Sequence, residues 1–309
     1  MSLGPVSVIY RMGRTIPVSS NTRRRVLRRL RTLFNGQTPA PDLLFRNNQD
    51  HRFIPGALPV DLDSNRLQAF DRPETALVVG VGQGLGVAIA RKLAASGMCV
   101  ALASRNAERL DPLVAELRSV TDCTVHAYGC DATNEISVRK MIAIVSKDMG
   151  IPHLVIYAVQ GSARGRAIEI EVPAFEECWR QNCLGAFIVA REAARKMLPL
   201  HCGTIIMIGS PSGLMGRVDH LNLAVGKFGL RALAQVLARE LSPEGIHVAH
   251  LVIDADIKES GESVESAAEP QAYPEHIADL VLVLHHQQRS AWTSELDVRP
   301  WNESFWERC

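Results

Sequence analysis

The apolar run Ala76-Leu77-Val78-Val79 passes directly into Gly80-Val81-Gly82-Gln83-Gly84-Leu85-Gly86, and a helix-like segment follows from Val87 to Ser96. Four glycines in seven residues between a strand pattern and a helix pattern predict a strand, a tight turn and a helix in immediate succession. Gly80 permits the sharp exit from the strand, while Gly84 and Gly86 let backbone and helix come close to whatever the turn holds. The helix start around Gln83, Gly84 and Leu85 directs free amide groups outward, which suits a pyrophosphate. A purely structural turn is the alternative reading, and the flanking strand and helix favour the nucleotide.

From Thr75 onward the same alternation continues. Residues 98–103, 125–128, 153–158, 204–208 and 247–253 read as further strands, and residues 107–120, 135–148, 175–198 and 221–241 as crossover helices. Strands without polar alternation are expected to be buried on both faces. The fold class is therefore α/β, a Rossmann-type doubly wound parallel sheet with helices on both faces, occupying residues 75–309. Residues 1–74 form a separate arginine-rich amino-terminal extension and connector.

The chain of 309 residues is 47% hydrophobic, enough for a substantial core. Its formal net charge of +1 argues against a nucleic-acid partner, but the charge is uneven. Residues 1–41 hold eight arginines, no lysine and no acid, which leaves about −7 on the remainder. Within residues 22–34, Val26, Leu27, Leu30, Leu33 and Phe34 share one helical face among arginines. Three uses fit such a segment: peripheral contact with an anionic membrane, organelle import, or an arm packed on the main domain or another subunit. The expected location is cytoplasmic, with mitochondrial as the alternative. The seven cysteines form no CxxC pair and show no zinc-like spacing to histidine, so no metal is expected. No window approaches the roughly 20 apolar residues of a spanning helix.

The second strand ends in Ser104-Arg105, with no carboxylate to accept two ribose hydroxyls. Arg105, aided by Ser104, suits the 2′-phosphate of NADP instead. Residues 79–86 resemble the TGxxxGxG segment of the short-chain dehydrogenase/reductase family, with Val79 in place of the threonine. Cys130-Asp131-Ala132 resembles the stretch after the third strand, which implies that Asp131 approaches the adenine and Ala132 offers a backbone contact. Tyr157-Ala158-Val159-Gln160 stands where the family has NNAG. Asn182-Cys183-Leu184-Gly185 is similar to its NxxG pattern, Ser210 lies thirteen residues before Leu223, and Lys227 follows four residues later. The resemblance spans residues 74–258. It implies an NADP-dependent oxidoreductase acting on a small-molecule ketone or enone, with Asn182, Ser210 and Lys227 as catalytic residues. It further implies that Lys227 holds the nicotinamide ribose and that Ile257 touches the carboxamide. A homodimer or tetramer built through the helix at residues 221–241 is implied as well, with Phe228, Leu230, Leu233, Leu237 and Leu241 as apolar surface.

Leu223 occupies the family's tyrosine position and donates no proton. Reduction of a carbonyl needs both charge stabilisation on oxygen and a proton source. Three substitutes present themselves: His220, seven residues before Lys227 and beside Asp219; Tyr157; and an ordered water. The alternative readings are a non-catalytic cofactor-binding protein and a redox-neutral enzyme on the same scaffold. Asp254 and Asp256 are expected in a solvated turn, with capping of the following segment or selection of a basic substrate as alternatives, and the polar stretch 258–269 is expected to act as a lid.

Overall fold

The computed structural model describes residues 7–9, 15–17, 73–257 and 271–302. The arginine-rich segment 22–34 and the polar stretch 258–269 lie outside them. The chain divides into two units, Met1–Arg72 and Pro73–Cys309. In the first, Ser7–Ile9 pairs antiparallel with Thr15–Pro17.

The second unit is built on seven strands: β1 (Thr75–Val79), β2 (Cys99–Ser104), β3 (Val125–Gly129), β4 (Leu154–Tyr157), β5 (Gly203–Gly209), β6 (Ile246–Ile253) and β7 (Glu295–Val298). They lie in the order β3-β2-β1-β4-β5-β6-β7, and every pairing is parallel. β1, β4, β5 and β6 are buried at every position, as unbroken apolar runs in a doubly covered sheet require. Alternation along β1 sends Ala76 and Val78 to one core and Leu77 and Val79 to the other. Helices α1 (Leu85–Ala95), α2 (Asp111–Val120) and α7 (Pro274–His285) cover the first face. Helices α3 (Glu135–Met149), α5 (Gly185–Met197) and α6 (Leu221–Leu241) cover the second. The fold class is the one the sequence predicts. No helix among the described residues is long and apolar enough to cross a membrane.

Three local expectations are corrected. The helix expected over 107–120 opens as a 3-10 turn, Ala107–Leu110, because Pro112 fixes the α-helical start at Asp111. The helix expected over 175–198 begins earlier, as α4 (Val172–Trp179), and is then interrupted by a π-helical turn, Arg180–Leu184. On α6, Leu230 and Leu241 are buried in the core and unavailable as surface. The exposed apolar stripe is instead Leu221, Val225, Phe228 and Val236, spaced three, four and eight residues apart along one helical face.

Candidate active site

β1 gives way to the turn at Gly80, whose φ of +94° belongs to glycine. Its amide donates to the Ala103 carbonyl at 3.0 Å, and a Cβ there would stand 2.6 Å from the Val159 nitrogen. A Cβ on Gly86 would stand 2.9 Å from the Val81 Cα. The turn is thus clamped between β2 and the loop after β4, and only bare backbone fits. Beside it opens a cleft of about 840 Å³ at the carboxyl ends of β1, β2, β3 and β4. Strand order reverses between β1 and β4, which is where ligands enter doubly wound sheets.

Gly80, Gln83, Ser104, Arg105, Asp131 and Ala132 line this cleft. Gly84 is the cap of α1, and Leu85 and Gly86 are its first residues. Ser104 Oγ donates to the Asn106 carbonyl at 2.6 Å, and Asn106 Oδ1 accepts the Glu108 amide at 3.1 Å. These two bonds hold the 3-10 turn that carries Arg109 into the same cleft as Arg105. Sequence reasoning overlooked Arg109; its four-residue offset from Arg105, one helical turn, was the available signal. The Asp131 carboxylate accepts both the amide and the hydroxyl of Thr133, at 2.9 and 2.8 Å.

Asn182, Ser210 and Lys227 are assembled from three elements. Asn182 is fully buried in the π turn, its Nδ2 donating to the Gly161 carbonyl at 2.7 Å and the Cys178 carbonyl at 2.9 Å. The turn breaks the regular helical ladder, and the Tyr157 hydroxyl donates to the carbonyl of Gln181 within it. Gly226 of α6 lets Asn182 approach, since a Cβ there would lie 2.7 Å from the Asn182 Cβ. One residue on, Lys227 is buried and donates from Nζ to the Ile208 carbonyl at 3.0 Å. Burial lowers its pKa to about 8, with the Cys178 thiol opposing weakly. Ser210 follows β5, two residues after that carbonyl, and its Oγ is buried without a hydrogen-bond partner. The Asn182 Oδ1 and both amide atoms of Asn222 are in the same condition. Buried polar atoms left unpaired are uncommon in folded proteins, and none of these three residues lines the cleft. Asn222 is a second residue missed from sequence, although a polar side chain in an apolar helix was visible there.

Below Ser210, His250 of β6 packs against Gly209, where a Cβ would collide with its ring. Its Nδ1 lies 3.0 Å from Glu295 Oε2 on β7, and Arg231 of α6 grips the same carboxylate with bonds of 2.8 and 2.7 Å. Burial lowers the His250 pKa, and the Arg231 hydrogen bonds lower that of Glu295.

Tyr157 reaches this group only through Gln181, the neighbour of Asn182, and Leu223 follows Asn222 on α6. Leu223 is buried. The Tyr157 ring is buried too, its hydroxyl committed to Gln181, and burial raises its pKa strongly. His220 lies in a separate open groove with Arg164, Arg166, Glu169, Val218 and Asp219, its Nδ1 2.8 Å from the Val218 carbonyl. That groove shares no lining residue with the cleft. Ile257 is outside the cleft lining, on a two-residue strand paired with Gln271–Ala272. Asp254 is ion-paired to Arg299 at 3.0 Å, which removes it as a selector of basic substrates.

A parallel sheet of this order, with a glycine turn and a cleft at its switch point, has the architecture of dinucleotide-binding α/β proteins. The family model for short chain dehydrogenase matches residues 74–255, and the protein belongs to that family. A 3-oxoacyl-[acyl-carrier-protein] reductase of Aquifex aeolicus is 29% identical over 236 residues, covering 72% of this chain and 94% of its own. A solved short-chain dehydrogenase from Rhodopseudomonas palustris is 34% identical with a TM-score of 0.66, covering 74% of this chain and 100% of its own. A metagenomic short-chain oxidoreductase solved with NADP is 25% identical with a TM-score of 0.65, covering 74% and 98%.

Proposed function

We propose that this protein is an NADP-dependent oxidoreductase reducing a small ketone or enone without a catalytic tyrosine. The observation that carries the proposal is the pair Arg105 and Arg109 in a cleft whose second strand ends without a carboxylate. Among the described residues, neither guanidinium has an ion-pair partner. A 2′-phosphate is a dianion that two such forks hold with charge-assisted hydrogen bonds. The glycine turn suits a pyrophosphate, because it lines the cleft and leads into the amino-terminal end of α1, where free amides favour an anion.

A bound nicotinamide supplies the hydride. Ser210, whose hydroxyl has no internal partner, orients the substrate oxygen and donates a hydrogen bond to it as negative charge develops. Lys227 holds the ribose and keeps positive potential under the reacting centre; with its pKa at about 8 it is largely charged at neutral pH. Asn182, through its unpaired Oδ1, holds the water that passes the proton. His220 is the less favoured donor because its Nδ1 already donates to the Val218 carbonyl in an open groove. The Aquifex aeolicus relative, a 3-oxoacyl-[acyl-carrier-protein] reductase, supports the ketone class.

Leu223 favours a second reading, a cofactor-binding protein without hydride transfer. Titration with all four nicotinamide forms, followed by transfer from stereospecifically deuterated NADPH to ketones and enones, separates the two. Selective NADPH binding with transfer of one deuterium supports the reductase. Selective binding with no transfer to any acceptor supports the second reading.

A further inference from the structure

At the amino-terminal ends of the strands, opposite the cleft, a second group of donors meets. Glu74 directly precedes β1, His285 is the last residue of α7, and His286 follows it. The donor atoms of all three lie within 4.8 Å of one another. His285 Nε2 is 3.6 Å from Glu74 Oε2. Two ligands about 2.0 to 2.1 Å from a tetrahedral zinc stand about 3.4 Å apart, so this pair is near ligand spacing.

Second-sphere geometry points the same way. The His285 side chain is only 7% exposed, and its Nε2 has no hydrogen-bond partner. Its Nδ1 is held 2.9 Å from the hydroxyl of Thr204 on β5. When Nδ1–H donates to that hydroxyl, Nε2 turns a lone pair towards Glu74, the tautomer a metal requires. At 3.6 Å the pair is longer than a hydrogen bond and close to the spacing of two ligands on one ion. The His286 ring centroid lies 5.0 Å from that of His285, near enough for a third nitrogen ligand.

We propose that Glu74, His285 and His286 form a zinc site, with water as the fourth ligand. Two imidazoles and a carboxylate are a donor set zinc accepts readily. The site joins the start of β1 to the end of α7, elements 211 residues apart in sequence between Glu74 and His285. The site lies at the opposite ends of the strands from the cleft, so it takes no part in hydride transfer.

The test uses the full-length protein stripped of metal by a chelator. Zinc is titrated against a chromophoric competitor, cobalt serves as the optical probe, and thermal midpoints are recorded with and without zinc. The expected result is one ion per chain, a cobalt spectrum without thiolate charge-transfer bands, and a raised midpoint. His286→Ala, at an exposed position that should tolerate it, and His285→Ala should each remove most of the midpoint shift. Thr204→Val, which leaves the ligands in place, should weaken zinc by about 10- to 100-fold through loss of imidazole orientation. An unchanged affinity in both histidine variants would overturn the site, as would a thiolate signature placing the ion on cysteines.

Discussion

At the scale of single residues, the cleft and the buried lysine make separable statements. Arg105→Ala should weaken NADP(H) by about 1 to 3 kcal/mol, roughly 5- to 150-fold, and leave NAD(H) nearly unchanged, because only the phosphorylated form loses a charge-assisted contact. Isothermal titration of both cofactors with wild type and variant checks this; equal losses would remove Arg105 from the phosphate site. Lys227 links the site to stability. Its folded pKa of about 8 lies below the ordinary lysine value of 10.5, so below pH 8 both folded and unfolded chains are protonated and folding carries the full desolvation cost. Between about 8 and 10.5 only the unfolded chain binds the proton, and the contribution of Lys227 to stability rises with pH. Denaturant unfolding of wild type and Lys227→Met should show their difference shift in favour of wild type by up to about 3 kcal/mol across that window. Comparing the two cancels groups that do not sense Lys227, such as Cys130, whose raised pKa acts in the opposite direction.

Among the elements, the glycine turn has the least tolerance. Gly80→Ala places a Cβ 2.6 Å from a backbone nitrogen at positive φ, so nucleotide affinity should collapse and the melting temperature fall together. Nucleotide titration and calorimetry read both, and a variant with wild-type affinity would show that the loop after β4 can retreat. Much of this level was legible in the sequence, for a physical reason. Buried parallel strands such as β5 and β6 admit few polar residues, so their limits show as apolar runs, and the whole of α6 matches its expected span. β7 was not anticipated, because Glu295 and Asp297 interrupt its pattern and its pairing depends on Arg231 and His250, remote in the chain. α7 was missed as well. In the candidate site, the turn residues, Ser104, Arg105 and Asp131 were readable from order along the chain. Arg109 and Asn222 left a signal in the chain, but their part in the site, like the isolation of His220, depends on where a side chain points after folding.

For the whole molecule, the exposed stripe Leu221, Val225, Phe228 and Val236 on α6 lies beside α5, which exposes Phe187. A second copy meeting this face across a two-fold axis would bury both apolar surfaces, and we propose that the protein forms such a dimer. Phe228→Glu should convert it to a monomer, measured by size-exclusion chromatography with light scattering at micromolar concentration. A wild-type protein that is already monomeric there would discard the proposed interface.

The π turn at Arg180–Leu184 carries a consequence for helical phase. It acts as one surplus residue in an otherwise continuous helix from Val172 to Met197. Each residue of an α-helix advances the side chains by about 100° around the axis. Five residues in the wider turn cover about the same rotation as four in an α-helix, so the turn absorbs the surplus residue and keeps α4 and α5 in phase. Deleting one of them would let the ladder close without turning either flank, but the widened turn that holds Asn182 against the Gly161 and Cys178 carbonyls would be lost. A deletion that makes the backbone more regular would therefore spare the packing of the two helices and cost the site its asparagine.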